Sequence, residues 1–129
     1  MLRLCTLTAA LATALALAGA SPAQAARCAV PASMRSGVPV VAGIRTTEVR
    51  CDVARDVALG IIHRYDAGRP ISAALGTPQP TFTVRAVRGH WRGRFTCRGR
   101  YVELNPEGDL AYEVRCVQRA RTVRVRLYS

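Results

Sequence analysis

The sequence predicts an α+β fold in which one amphipathic helix packs on an antiparallel meander sheet of four to five strands, fastened by two disulfides. Three observations support this fold class. One segment repeats apolar residues at helical spacing, four later segments alternate apolar and polar residues, and an even number of cysteines follows a targeting segment. Side chains at period 3.6 share a helix face, whereas side chains at period two share a sheet face.

The first 25 residues predict a signal peptide. Arg3 supplies a positive start, a run of leucines and small residues follows, and Ala23-Gln24-Ala25 is the small-x-small pattern that signal peptidase recognises. Cleavage near Ala25 leaves 104 of the 129 residues, which is enough for one small core. We therefore expect a protein that is secreted or held in the cell envelope. An uncleaved N-terminal anchor is the alternative.

The region after the predicted cleavage site divides into an arm and a domain. In residues 26–39, Pro31, Gly37 and Pro39 interrupt any periodicity, which predicts an irregular N-terminal arm. Residues 40–129 are expected to form a single disulfide-stabilised α+β domain that opens with a short strand over 40–45.

Residues 47–66 predict the helix. Apolar and small residues recur on one side, at Cys51, Val53, Ala54, Val57, Ala58, Ile61, Ile62 and Tyr65. Thr46 or Thr47 is the expected N-cap, and Gly68 and Pro70 are expected to end the helix. Because Gly60 costs about 1 kcal/mol relative to alanine in a helix, a close contact with a neighbouring element would explain its presence.

The sheet is predicted from four segments of period two, at residues 81–87, 91–101, 110–116 and 122–128. The stretch RGHWRGRFTCRGRY at 88–101 combines arginines with aromatic residues. Alternation separates them: Trp91, Phe95, Cys97 and Tyr101 share one face, and the arginines share the other. The aromatic face is expected to build the core, and the arginine face is expected to meet solvent.

Four cysteines remain after cleavage, namely Cys28, Cys51, Cys97 and Cys116, and none form a C-x-x-C pair. An even count in a small exported domain predicts two disulfides rather than a zinc or redox site. A four-residue turn at 105–108 would pair Tyr101 with Tyr112 and place Cys97 beside Cys116, so a cross-strand bridge is one option. Since the helix also presents Cys51 toward the sheet, we favour Cys51 bonded to a sheet cysteine and the other sheet cysteine bonded to Cys28.

Four short motifs follow in order within residues 40–129: Cys51-Asp52-Val53-Ala54-Arg55, Phe95-Thr96-Cys97, Val114-Arg115-Cys116 and Thr122-Val123-Arg124-Val125. In this order they resemble a recurrent, uncharacterised type of small secreted two-disulfide protein from high-GC Gram-positive bacteria. The resemblance implies export and disulfide bonding, and it implies no particular activity.

A second resemblance implies another function. The segment TFTVRAVRGHWRGRF at 81–95 is similar to the valine strand and G-x-W-x-G of subtilisin-inhibitor-like proteins, which share the signal peptide, the approximate length and two disulfides. The cysteine spacing departs from that family. A secreted protease inhibitor is therefore an alternative function.

All 19 basic residues are arginine and face 8 acids, so the formal net charge is +11. Such a charge favours contact with anionic polymers or surfaces. Alternation places eight arginines on the solvent face of the sheet: Arg85, Arg92, Arg94, Arg98, Arg100, Arg115, Arg124 and Arg126. We expect this face to bind an anionic envelope polymer or lipid headgroups weakly, without specific nucleic-acid recognition. A GC-rich genome that encodes solvated positions as arginine is the alternative explanation.

No catalytic signature is found in the sequence, and a non-enzymatic protein without cofactor or metal is expected. The candidate acids and bases are His63, His90, Glu48, Glu103, Glu107 and Glu113. Two separate histidines without a carboxylate partner do not predict a metal site. The alternative is a small ribonuclease-like hydrolase that uses His90 and a carboxylate.

Overall fold

The computed structural model describes residues 25–72, 80–88, 91–104 and 110–128. This part of the chain is α+β, with one long helix, a six-stranded antiparallel open sheet and two disulfides. The predicted class is confirmed, whereas the predicted number of four to five strands is too low. Residues 1–24 of the signal peptide predicted over residues 1–25 lie outside the described residues, and Ala25 is the first residue of a described strand.

The sheet combines the predicted meander with two further strands. Its strands are β1 (Ala25–Cys28), β2 (Val40–Thr47), β3 (Thr81–Arg88), β4 (Trp91–Leu104), β5 (Leu110–Gln118) and β6 (Arg121–Tyr128). They lie in the order β1-β2-β6-β5-β4-β3, so the meander β3 to β6 is extended by β2 and then β1 beyond β6. The two helices are α1 (Ala32–Arg35) and α2 (Cys51–Asp66).

Strand β1 lies in the segment expected to be an irregular arm. Cys28 pairs with Ile44 and Arg27 with Arg45 of β2, and α1 adds one helical turn before β2 begins. The expectation for residues 26–39 is therefore corrected. A four-residue strand shows too little alternation to be recognised, and its pairing partner lies well downstream in the chain.

Helix α2 begins at Cys51, four residues later than predicted, because Thr46 and Thr47 belong to β2. Neither threonine is the cap. The Asp52 carboxylate accepts the Val53 N–H at 2.9 Å, beside the positive end of the helix dipole. At the other end, Gly68 adopts a left-handed φ of 70° and donates its N–H to the Tyr65 carbonyl at 2.9 Å, so the predicted stop is confirmed.

Helix α2 packs on the inner face of the sheet through Val53, Ala54, Val57, Ala58 and Ile61, which are all buried. It contacts β3 at one edge of the sheet, and β2, β6 and β1 toward the other edge. The sheet therefore curls around the helix, and its opposite face, which we call the outer face, carries the exposed arginines.

Gly60 lies where α2 meets β3. A methyl group at this position would overlap the side chain of Val84, which is buried in β3. The glycine thus permits a close approach of helix and strand, and this offsets its unfavourable helix propensity.

The predicted faces are confirmed, and so is the predicted hairpin register from Tyr101 to Cys97, whereas a bulge between Tyr101 and Glu103 shifts the pairing nearer the turn so that Leu104 pairs with Leu110. Phe95, Cys97, Val114 and Cys116 are fully buried, and the arginines between them are exposed. Cys97 pairs with Cys116 and Tyr101 with Tyr112, and the two tyrosine rings lie 5.1 Å apart. The side chain of Trp91 lies outside the part of the chain that is described.

The disulfides join Cys28 to Cys51 and Cys97 to Cys116. The favoured bridge from Cys51 to a cysteine of the hairpin is therefore wrong. Cys97 and Cys116 face each other with their Cα atoms 4.0 Å apart, which leaves the helix cysteine without a hairpin partner. Cys28 instead ends β1 beside the first residue of α2, so this bridge fastens the edge strand to the helix.

Candidate polyanion-binding face

The eight predicted arginines all lie on the outer face. Seven have exposed side chains, and Arg126 is half-buried. Strand pairing divides them into three groups that the linear sequence does not separate. The first group, part of a row across the sheet, consists of Arg98, Arg115 and Arg124. The second, next to Glu113, consists of Arg100 and Arg126. The third, which we call the end cluster, lies on β3 and β4 and consists of Arg85, Arg92 and Arg94.

The first group belongs to a continuous row that crosses five adjacent strands. Each member stands directly opposite the next one in the register of the sheet. We call it the arginine row, and from β1 through β2, β6 and β5 to β4 it consists of Arg27, Arg45, Arg124, Arg115 and Arg98. With adjacent strands about 4.8 Å apart, the four intervals span about 19 Å.

Two arginines of the row were not predicted, and the register explains both omissions. Arg45 lies in the segment expected to be a short strand, but its place beside Arg124 follows from the pairing of β2 with β6. Arg27 lies in the supposed arm and enters the row through β1. In the sequence, period-two alternation through Ile44, Arg45 and Thr46 would have placed Arg45 on the face opposite Ile44.

One side of the row is bordered by a neutral row. Its members are again opposite one another, namely Thr83, Thr96, Val117, Thr122 and Thr47 on five strands, followed on β1 by Ala25, the residue after which cleavage is predicted. These residues carry no charge and lie two positions along each strand from the row or its continuation at Thr81. The neutral row lies about 6.7 Å along the strands from the arginine row and separates it from Arg85 and Arg94 on β3 and β4.

On the other side lies Glu113, whose side chain is only 19% exposed. It stands between Arg100 and Arg126 in the sheet and forms ion pairs with both, at 3.1 Å and 3.7 Å. The charge on this flank is thus partly neutralised within the protein. Arg100 and Arg126 belong to the predicted eight, but their guanidinium groups already have an anionic partner.

The arginine row itself has no such compensation from the residues that the structure describes. Within the described ranges, no ion pair joins any of its five members to a carboxylate. One member is held by a hydroxyl, because Arg98 Nε donates to Thr81 Oγ1 at 3.1 Å. Like charges directly opposite each other destabilise a sheet, so the row opposes folding unless an external anion neutralises it.

Three shallow hollows follow the row along its length. One of about 630 Å³ lies between Arg98, Arg115 and Arg124, and two of about 380 and 340 Å³ lie between Arg27, Arg45 and Arg124. Arg124, the middle member, lines all three. The arrangement places arginines of neighbouring strands around each hollow, together with Glu113 in two of the three, and guanidinium groups bind phosphate or carboxylate oxygens in pairs.

Three arginines on the helix side have partners within the chain. Arg55 donates to the Ala29 carbonyl at 2.9 Å, and Arg50 pairs with Asp52 at 3.0 Å. Arg64 donates to the Pro70 carbonyl at 2.8 Å and stacks 4.3 Å above the Phe82 ring. Burial and then the charge of Arg69 lower the pKa of Arg64 below its ordinary value. These contacts set the helix side apart from the arginine row.

The candidate acids and bases do not gather into a site within the described residues. His63 is exposed on α2, Glu48 is exposed in the turn before α2, and Glu113 belongs to the ion pairs described above. His90, Glu107 and the side chain of Glu103 lie outside the described residues. In the described part, no three histidines, cysteines or acids come together as metal ligands.

Comparison of the chain with protein-family models, curated proteins and solved structures finds no match. In the described ranges, none of the helices has the length and apolarity required to cross a membrane. The two disulfides fit an extracellular protein.

Proposed function

We propose that this is an exported, non-enzymatic protein that binds anionic envelope or extracellular polymers through the outer face of its sheet. The observation that carries the proposal is the arginine row, in which five arginines stand opposite one another on adjacent strands without a described carboxylate partner. An external polyanion supplies the missing counter-charges. Weak binding governed by charge is expected from such an exposed surface.

The alternative explanation, a GC-rich genome that encodes solvated positions as arginine, predicts a different placement of the arginines. Bias alone would scatter arginines over solvated positions without regard to their neighbours. The helix-side arginines Arg50, Arg55 and Arg64 have acids, carbonyls or a ring as partners. On the outer face, the register instead stacks arginine on arginine across five strands, which favours a role for the row as a whole.

The experiment compares two variants that lose the same charge. The oxidised protein, without its predicted signal peptide, is applied to a phosphate-bearing resin and eluted with salt. In one variant Arg45, Arg115 and Arg124 are replaced by threonine. In the control, three exposed helix-side arginines, Arg35, Arg50 and Arg69, are replaced by glutamine.

We expect the outer-face variant to elute at clearly lower salt than the native protein, and the helix-side variant to stay close to it. Screening of exposed charges by salt makes elution the natural readout. Equal elution of both variants would show that only net charge matters. Failure of the native protein to bind at low salt would contradict the proposed function altogether.

Export is tested separately. Expression of the full chain in a bacterial host, followed by mass spectrometry of the extracellular fraction, should give a chain that starts near Ala26 and holds both disulfides. A product retained in the cell with residues 1–25 attached would contradict export.

A further inference from the structure

The charge on the outer face is concentrated along a line, with a separate end cluster of Arg85, Arg92 and Arg94 beyond the neutral row. The arginine row carries five positive charges, the neutral row on one side carries none, and the flank at Glu113 carries a single net charge from Arg100, Arg126 and Glu113. A membrane surface presents negative charge in two dimensions and would be matched best by a broad patch. A row that is one residue wide instead matches a single extended polymer chain.

Resting on the function proposed above, we infer that the arginine row is a track for one extended chain of a linear phosphate polymer, lying across the strands. The polymer crosses β1, β2, β6, β5 and β4 in turn and meets one guanidinium group about every 4.8 Å. Each guanidinium group can donate hydrogen bonds to two oxygens of one phosphate, and the flexible arginine side chains adjust this spacing to the phosphate repeat of the polymer.

The residues around the arginine row determine which part of the polymer is recognised. Threonine hydroxyls of the neutral row lie along one border and can donate to phosphate oxygens. Among the described aromatic side chains, Phe95 and Tyr112 point to the inner face and are buried. Tyr128 lies on the outer face, four positions along β6 from Arg124, where it lines the hollow of about 380 Å³. No described aromatic side chain stands in the arginine row or the neutral row, so recognition along the track acts on the phosphate backbone.

The structure also limits the length of polymer that is bound. At most one phosphate lies on each of five arginines, so affinity should rise with chain length and level off at about five phosphates. The chain must cover about 19 Å to reach from Arg27 to Arg98. A single inorganic phosphate satisfies only one or two members and should bind far more weakly.

The test uses short oligomers and two variants on the same face. The row variant replaces Arg45, Arg115 and Arg124 with threonine. The end-cluster variant replaces Arg85, Arg92 and Arg94 on β3 and β4 with threonine as well, so it removes the same charge from the same face. Binding of fluorescent oligothymidylates of two to ten nucleotides is measured by anisotropy at low salt, together with abasic oligomers of the same backbone.

We expect the row variant to lose affinity about tenfold or more, and the end-cluster variant to lose about threefold or less, since it affects only long-range attraction. Abasic and thymidine oligomers should bind within about twofold of each other, which would place the specificity in the phosphate backbone and not in nucleic-acid bases. Affinity should level off near five phosphates.

The outcomes separate the two proposals. Equal losses in both variants would leave polyanion binding intact and overturn the track. A strong preference for thymidine over abasic oligomers would show base contacts and likewise overturn it. Tighter binding to phosphatidylglycerol vesicles than to any oligomer would assign the face to a membrane surface. Absence of binding to every probe would overturn the proposed function together with the track.

Discussion

Replacing Arg124 with threonine should make the protein more stable, although it removes a side chain proposed to bind ligand. Arg124 stands directly opposite Arg115 on one side and Arg45 on the other. Each like-charge pair across strands destabilises by about 0.2–1 kcal/mol, so losing two pairs should contribute about 0.4–2 kcal/mol. For a domain of about 100 residues, 1 kcal/mol corresponds to about 4–8 °C in Tm.

The assay is thermal unfolding of the oxidised protein at low and at high salt. The gain should be largest at low salt and should shrink at about 1 M salt, where the screening length falls to about 3 Å. Threonine suits an exposed strand position, so β propensity does not oppose the change.

A matched control separates electrostatics from propensity. Arg92 is exposed on the same face, but it stands opposite Val87 instead of another arginine. Arg92→Thr should therefore raise Tm less than Arg124→Thr does. Equal shifts in the two variants, or a gain from Arg124→Thr that persists at 1 M salt, would refute the claim that the row opposes folding.

Three further predictions concern the packing that shapes the sheet, each measured by urea denaturation. Gly60→Ala alone should destabilise by about 1 kcal/mol, because overlap with Val84 outweighs the gain in helix propensity. The double variant Gly60→Ala/Val84→Ala should be more stable, by at least about 0.5 kcal/mol, than the sum of the two single effects predicts. Purely additive effects would contradict the contact. Thr46→Val should stabilise by about 1 kcal/mol, since the 3% exposed Thr46 has a buried hydroxyl without a hydrogen-bond partner among the described residues; a loss of stability would reveal a partner. Gly99→Ala should destabilise by about 2 kcal/mol or more, because its methyl group would overlap the backbone carbonyl of Ile71; an unchanged midpoint would show that this segment moves aside freely.

The sequence pattern predicted the hairpin of β4 and β5 well because the residues that determine a hairpin are close together in the chain. The alternation around Phe95 and Cys97, together with a short turn, determines which residues of β4 and β5 face each other, and the register of Cys97 with Cys116 was found in this way. The end of α2 at Gly68 was also encoded locally, since glycine adopts the left-handed conformation without strain.

What the sequence did not reveal depends on contacts between distant segments. Thr46 was expected to cap α2, but pairing of β2 with β6 places it inside a strand. Cys28 reaches Cys51 only because β1 pairs with β2 next to the start of the helix. The arginine row has the same origin, since Arg45 and Arg124 are far apart in sequence and become neighbours through the sheet.

The salt dependence of polymer binding tests the central claim most directly. For the native protein and an oligothymidylate of ten nucleotides, the logarithm of the association constant is measured against the logarithm of the salt concentration. Five phosphate contacts at about 0.7 per contact predict a slope of about −3.5, and replacing Arg45, Arg115 and Arg124 with threonine should reduce it to about −1.4. A native slope near zero, or the same slope in both proteins, would contradict a polyanion-binding role for the arginine row.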